Sequence, residues 1–185
     1  MTRALVLIDI QEGMDSPKWG ARNNPDAEEN AARLLAAFRN AGLPVIHVRH
    51  ESLRPESPLH PSNGGTTIKA VVAPEGDEPV LTKHTNSAFI GTDLEDRLRA
   101  AKVENVVIAG LSTPQCISTS VRMSANLGFD TWLAHDACAA FETHADVSWG
   151  NAAPMSAEAI HTAEVSMLHG EFCRALSSDA ILERL

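Results

Sequence analysis

The stretch Val103–Gly128 reads VENVVIAGLSTPQCISTSVRMSANLG, a strand, a turn and a helix in that order. Val106-Val107-Ile108-Ala109 is a short run of mostly branched apolar residues, suited to one buried strand. Gly110 stops it, and Pro114 opens the next element. Proline at the first helical position has its φ pre-set and lacks an amide hydrogen that would be unpaired there. Thr113 before it is a fair N-cap. Ile117, Val121, Ala125 and Leu127 then recur at helical spacing until Gly128 ends the pattern. The reading puts Cys116 in the first turn of a helix that starts where a parallel strand ends. Free amide hydrogens and the helix dipole favour an anion there, which for cysteine means a thiolate. The competing reading is a small buried cysteine, a common core residue.

Outward from this stretch the same alternation repeats. Ala4–Ile8 is an apolar run closed by Asp9, a strand buried on both faces. A loop, Gln11–Asn24, follows, then a helix over Pro25–Asn40 with Ala27, Ala31, Leu34, Leu35 and Phe38 in register. Pro44–Val48 is a second strand leading into Arg49-His50-Glu51. Ser52–Asp77 is rich in Pro, Ser and Gly and long for a connection, which marks a functional or partner-contacting loop. Pro79–Thr82 is a third strand that delivers Lys83, and Thr92 or Asp93 caps a helix through Leu94, Leu98 and Ala101. Beyond Gly128, Phe129–Ala134 reads as a strand ending in His135-Asp136. An irregular stretch, Ala139–Pro154, separates it from a helix over Ser156–His169. A short strand in Phe172–Leu176 and a terminal helix over Asp179–Leu185 complete the chain. Apolar strands alternating with helices predict one doubly wound α/β domain over residues 1–185, a mostly parallel sheet with helices on both faces.

Composition excludes several classes. Asp and Glu outnumber Lys and Arg by 24 to 15, a net charge of −9, which disfavours nucleic acid and anionic membrane as partners. No stretch has the length of a membrane span, and the start MTRALVLID lacks a signal-peptide pattern. Cys116, Cys138 and Cys173 are far apart without a CxxC, as expected of reduced thiols in a cytoplasmic protein. Neither GxGxxG nor GxxxxGK[ST] follows a strand, which weighs against a nucleotide-binding or scaffolding α/β domain.

Asp9, Lys83 and Cys116 each follow a strand, so a parallel sheet can bring them to one rim. Together they suit nucleophilic chemistry. Lys83 would stabilise the thiolate, Asp9 would take a proton and return it to a leaving group, and peptide hydrogens at the helix start would receive an oxyanion. Taken singly, Asp9 and Lys83 fit an ordinary ion pair at a sheet edge.

The order of these residues, with DIQ after the first strand, KHTNSAFIGTDLEDRL around Lys83 and GLSTPQCISTSVRMSANLGFD around Cys116, closely resembles the isochorismatase-like cysteine hydrolases. The likeness runs from about Ala4 to Leu176. It implies a Rossmann-type three-layer fold, an Asp9-Lys83-Cys116 triad, a cis peptide at Leu111–Ser112 and an oxyanion hole from the Ser112 and Cys116 amides. It implies a small-molecule substrate and a homodimer or homotetramer with neighbouring loops near the pocket. Gln11, Met14, Trp19, His50 and Gln115 are the residues expected to meet substrate; at Met14 many members carry Phe instead. The implied reaction is cleavage of a C–N bond in a small amide, carbamoyl or cyclic amide. Enol-ether hydrolysis is the rival, although members with that chemistry typically lack the cysteine.

No cofactor or metal is expected. The nicotinamidase branch holds a metal with Asp-x-His after the second strand, whereas this chain reads HVRHESLRPESPLH. His47 and His50, three apart on a strand, point to opposite faces. His50 is read as a pocket-wall donor or a solvated loop residue. Trp19 and Trp149 lie in loops and either line the pocket or pack the loops down. Cys138 and Cys173 are read as core residues.

Overall fold

The computed structural model describes Thr2–Leu185. Six strands form one sheet: β1 (Arg3–Ile8), β2 (Val45–His50), β3 (Val80–Lys83), β4 (Asn105–Leu111), β5 (Asp130–Ala139) and β6 (Arg174–Leu176). Their order is β3-β2-β1-β4-β5-β6, and neighbouring strands pair in parallel. Successive residues of a strand face opposite sides, and this divides the core in two. Val6, Ile8, Val106 and Ile108 pack toward α2 (Leu94–Ala100), α3 (Ser118–Asn126) and α4 (Ala157–Leu168). Leu5, Leu7, Val107 and Ala109 pack toward α1 (Ala27–Asn40) and α5 (Ser178–Leu182). Helix α1 buries Leu34, Leu35 and Phe38 on that face. Each such side chain contributes about 1.5–3 kcal/mol when removed from water. The result is the three-layer, doubly wound α/β architecture.

This strand order reverses direction between β1 and β4, where the chain winds outward both ways. Open α/β sheets bind ligands in the crevice beyond the carboxyl ends at such a point. Asp9 follows β1, and Cys116 lies five residues past the end of β4. The two strands approach closely because of Gly110. Its φ is +136°, and a Cβ there would lie 1.9 Å from the Ile8 carbonyl oxygen, so no side chain fits.

Two segments depart from the sequence reading. Strand β5 extends to Ala139, past the expected end at Ala134, so His135 and Asp136 lie within it. The β4–β5 register shifts between Ile108 and Gly110, after which Gly110 and Leu111 pair with Cys138 and Ala139. Asp136 accepts from the Ser178 amide and hydroxyl and so anchors the start of α5. The second departure is at the start of α3. A π-helical turn, Thr113–Ile117, precedes it, and the capping position is Ser112 and not Thr113. The Thr113 hydroxyl is occupied elsewhere, 2.8 Å from His161 Nδ1 in the core. The Ser112 carbonyl instead accepts from both the Gln115 and Ile117 amides.

The Ser52–Asp77 connection is not structureless. It contains short 3₁₀ turns at Pro61–Asn63 and Ala70–Val72 and is pinned to the first loop by Gly13 N donating to Gly65 O. Among the described residues no helix is long and apolar enough to cross a membrane.

Candidate active site

Three strand ends deliver one cluster. Lys83 ends β3, two strands away from β1, roughly 10 Å at ordinary strand spacing. Its long stem crosses the end of β2 so that Nζ lies 2.7 Å from Asp9 Oδ2, 3.2 Å from Cys116 Sγ and 3.1 Å from His50 Nδ1. The Thr85 carbonyl is a further acceptor at 3.1 Å. Four acceptors surround an ammonium with three hydrogens, so at least one contact is electrostatic only. The Lys83 side chain has 0% exposure and Asp9 2%, so this ion pair is dry.

Burial opposes the charge on Lys83, but Asp9 and Cys116 outweigh it and raise the ammonium above its ordinary value. The thiol moves the other way from the expectation. Burial first, then the Asp9 charge, push Cys116 up, and Lys83 offsets this only in part. Burial thus opposes ionisation of the thiol, and the Lys83 ammonium beside it is the group that favours it. Asp9 has a left-handed backbone, φ +55°, which is uncommon outside glycine and tolerated by Asp. Its Oδ1 is buried and has no hydrogen-bond partner among the described residues. A strained residue with an unsatisfied oxygen at a strand end is a candidate for reaction.

Cys116 Sγ also lies 4.0 Å from Asn86 Oδ1. Ser120 holds the nearby backbones together, its hydroxyl donating to the Cys116 carbonyl and accepting from the Ala88 amide. The peptide between Leu111 and Ser112 is cis. Among the described residues no acceptor takes the Ser112 amide hydrogen. Two imidazoles fix the side chains that follow the cis bond: His144 Nδ1 is 2.7 Å from Ser112 Oγ, and His161 holds Thr113. Burial lowers both rings from the ordinary imidazole value, His144 to about 4.

A cavity of about 610 Å³ opens above the cluster and includes Asp9, Ser112 and Cys116 in its wall. Of the residues expected to meet substrate, Met14, Trp19, His50 and Gln115 line it. Gln11 does not. It is fully buried, with its amide donating to the His50 and Thr66 carbonyls and accepting from the His50 amide, so it ties the end of β2 to the long connection. His47 points away from the site, to Glu78 at 2.9 Å. Trp149 is 82% exposed and lines nothing.

Asp9, His50 and Cys116 offer ligand-type atoms all within 4.8 Å of one another. Lys83 Nζ touches all three, so the cation shared by this donor set is the ammonium, and a metal would have to displace it.

Residues 3–164 match the family described as Isochorismatase domain. The chain belongs to the isochorismatase family. An uncharacterized isochorismatase family protein of Bacillus subtilis, YrdC, is 44% identical over 97% of this chain and 94% of its own length. The crystal structure of an isochorismatase-family protein from Chromobacterium violaceum superposes with a TM-score of 0.91 at 43% identity, covering 98% of this chain and 92% of that one. Maleamate amidohydrolase of Pseudomonas putida is 33% identical over 69% of this chain and 68% of its own length.

Several residues of this isochorismatase-family site escaped the sequence reading. Asn86 lies three residues past Lys83, inside the block that carried the resemblance. His144 sits in the irregular stretch after β5, between the rings of Trp19 and Phe141 at 5.3 and 5.1 Å. Leu53, Arg54 and Glu56 come from the start of the long loop. Only the position of these loops over the same sheet edge pointed toward them.

Proposed function

We propose that this isochorismatase-family hydrolase cleaves the C–N bond of a small amide through a thioester on Cys116. One observation carries the reading: a single dry ammonium, Lys83 Nζ, contacts both Asp9 Oδ2 and Cys116 Sγ at the cavity floor. As Sγ attacks the carbonyl carbon, its proton passes to Asp9. Negative charge then moves from carboxylate to sulfur and on to the carbonyl oxygen. The ammonium touches both the starting and the intermediate site of that charge, so the transfer needs little reorganisation. This also suits a thiol whose ionisation burial opposes, because ionisation and attack are coupled. The Ser112 and Cys116 amides are our candidates for the oxyanion hole. Protonated Asp9 supplies the hydrogen to the departing amine, leaving an acyl-thioester. Asp9 then takes a proton from water, whose oxygen attacks the thioester carbonyl; the C–S bond breaks to release the acid, and the proton on Asp9 returns to Sγ. The kinship with a maleamate amidohydrolase supports amide chemistry. The pairing of Lys83 with all three potential ligands supports a metal-free site.

The test is rapid acid quench during turnover of a panel of small amides, followed by mass spectrometry. The expected result is an acyl mass on Cys116 that is absent in Cys116→Ala. Turnover that persists in Cys116→Ala, with no adduct on any amide, would reject the thioester.

A further inference from the structure

Lys83 Nζ has more acceptors than hydrogens, and the shortfall lies between an imidazole and the sulfur. Asp9 Oδ2, charged and nearest at 2.7 Å, holds one hydrogen. The Thr85 carbonyl holds a second at 3.1 Å. The third lies between His50 Nδ1 at 3.1 Å and Cys116 Sγ at 3.2 Å. An ammonium only donates, so at this contact Nδ1 accepts, and the neutral ring carries its own hydrogen on Nε2.

His50 is fixed in that place from both sides. Its backbone amide and carbonyl both bond the buried Gln11 side chain, at 2.7 and 3.0 Å. It pairs with Lys83 in the β2–β3 register, and the Glu51 amide donates to the Lys83 carbonyl. Gln11, which does not reach the cavity, thus holds the ring that reaches Lys83. The charged and titratable groups facing the ring are Lys83 and His84 from the end of β3 and Asp9 from the end of β1. Burial and the Lys83 ammonium lower the ring, against Asp9 and the Thr85 carbonyl. The groups facing the thiol are Asp9 and Lys83. A thiol is a weak acceptor and a thiolate a strong one. While sulfur keeps its hydrogen, the imidazole nitrogen is the better partner for the third ammonium hydrogen. Once sulfur is ionised, the preference reverses.

We propose that His50 Nδ1 and Cys116 Sγ compete for one hydrogen of Lys83, so that His50 is a positioning residue that sets how readily the thiol ionises. As charge reaches sulfur the ammonium turns about its Cε–Nζ bond, and no proton leaves it. His50 thereby disfavours a standing thiolate in the resting site and gives the ammonium up during attack. The consequence for turnover rests on the cysteine-hydrolase reading, whereas the competition itself is measured without substrate.

His50→Leu removes the acceptor, and His50→Asn keeps one, Oδ1, at the same branch point of the side chain. Labelling of Cys116 by iodoacetamide near neutral pH, followed by mass spectrometry, should run about two- to fourfold faster in His50→Leu than in the wild type. His50→Asn should label at the wild-type rate. The sign is diagnostic, because an apolar chain in place of an imidazole deepens burial, which alone would raise the thiol and slow labelling. In the Lys83→Met background the gain from His50→Leu should vanish. A gain that persists there reflects access to the thiol and overturns the competition, as does labelling in His50→Leu no faster than in the wild type. A readout on the wild type needs no variant to fold: the nitrogen NMR spectrum of the His50 ring should show the hydrogen on Nε2 and Nδ1 bare near neutrality. A hydrogen on Nδ1 would overturn the proposal. If no amide acylates Cys116, the hydrolase reading fails, and labelling and the ring spectrum still decide the competition.

Discussion

Two lysines, Lys69 and Lys83, each bridge two acidic side chains, and the contrast separates scaffold from site. Lys69 Nζ contacts Asp15 Oδ1 at 2.5 Å and Glu28 Oε1 at 2.8 Å, while Arg22 grips both Glu28 oxygens at 2.8 Å. Every Glu28 oxygen has a donor, and the network ties the first loop, α1 and the long connection together. Around Lys83 the pairing is incomplete. Among the described residues Asp9 Oδ1 has no partner, and the second acid is a thiol whose ionisation burial opposes. A saturated ion network can only hold, whereas an unsaturated one can still take up a proton. Similar contacts thus serve different ends, and satisfaction of the last oxygen distinguishes them.

Substitution should break this contrast most sharply at the unsaturated end. Asp9→Asn is nearly isosteric but cannot accept the thiol proton, and turnover should fall about 10²–10⁴-fold. Lys69→Met should leave turnover near wild type while lowering the thermal midpoint. Both enzymes need circular dichroism to show that they are folded. A folded Asp9→Asn enzyme with ordinary turnover would remove Asp9 from the chemistry and make the two lysines equivalent.

The same contrast explains what the sequence could disclose. The cavity floor was legible because strand ends are local features: Asp9 after an apolar run, Lys83 after another, Cys116 after Gly110 and Pro114. Periodicity places those positions, and a parallel sheet brings them to one edge. The rim was not legible, because Arg54, His144 and Lys18 come from loops whose path depends on long-range packing. Gln11 illustrates the limit. It was expected to meet substrate, yet its side-chain hydrogen bonds all go to His50, at the end of β2, and to Thr66, in the long connection. The thiol shows a related limit. A helix start favours an anion, but the depth of burial that opposes it is a tertiary property.

At the saturated end the effect is on stability and carries a pH signature. The donors of Arg22 and Lys69 outweigh burial and lower Glu28 from 4.5 to about 2. A carboxyl lowered in the folded state stabilises fully above its unfolded value and loses that contribution as pH falls toward the folded one. Glu28→Gln should therefore cost on the order of 1–2 kcal/mol at pH 7, after allowance for solvent screening. The difference should shrink between pH 4.5 and 2. Urea midpoints of both proteins across that range measure it. A gap independent of pH would mean that Glu28 acts through packing and not through charge.

The smallest effect should come from the link between floor and rim, the hydrogen bond between Ser112 Oγ and His144 Nδ1 at 2.7 Å. Burial lowers His144 to about 4, so near neutrality the ring is uncharged and the contact is a neutral hydrogen bond. Such a bond contributes about 1 kcal/mol net. Ser112→Ala keeps the backbone amide assigned to the oxyanion but releases the tether that orients it. If that amide acts only as charge develops on the carbonyl oxygen, its loss of orientation is felt in the transition state and not in substrate binding. The expected result is a fall in kcat of about three- to tenfold with KM unchanged. An unchanged kcat with a raised KM would instead place the hydroxyl on the substrate. His144 would then belong to the rim alone.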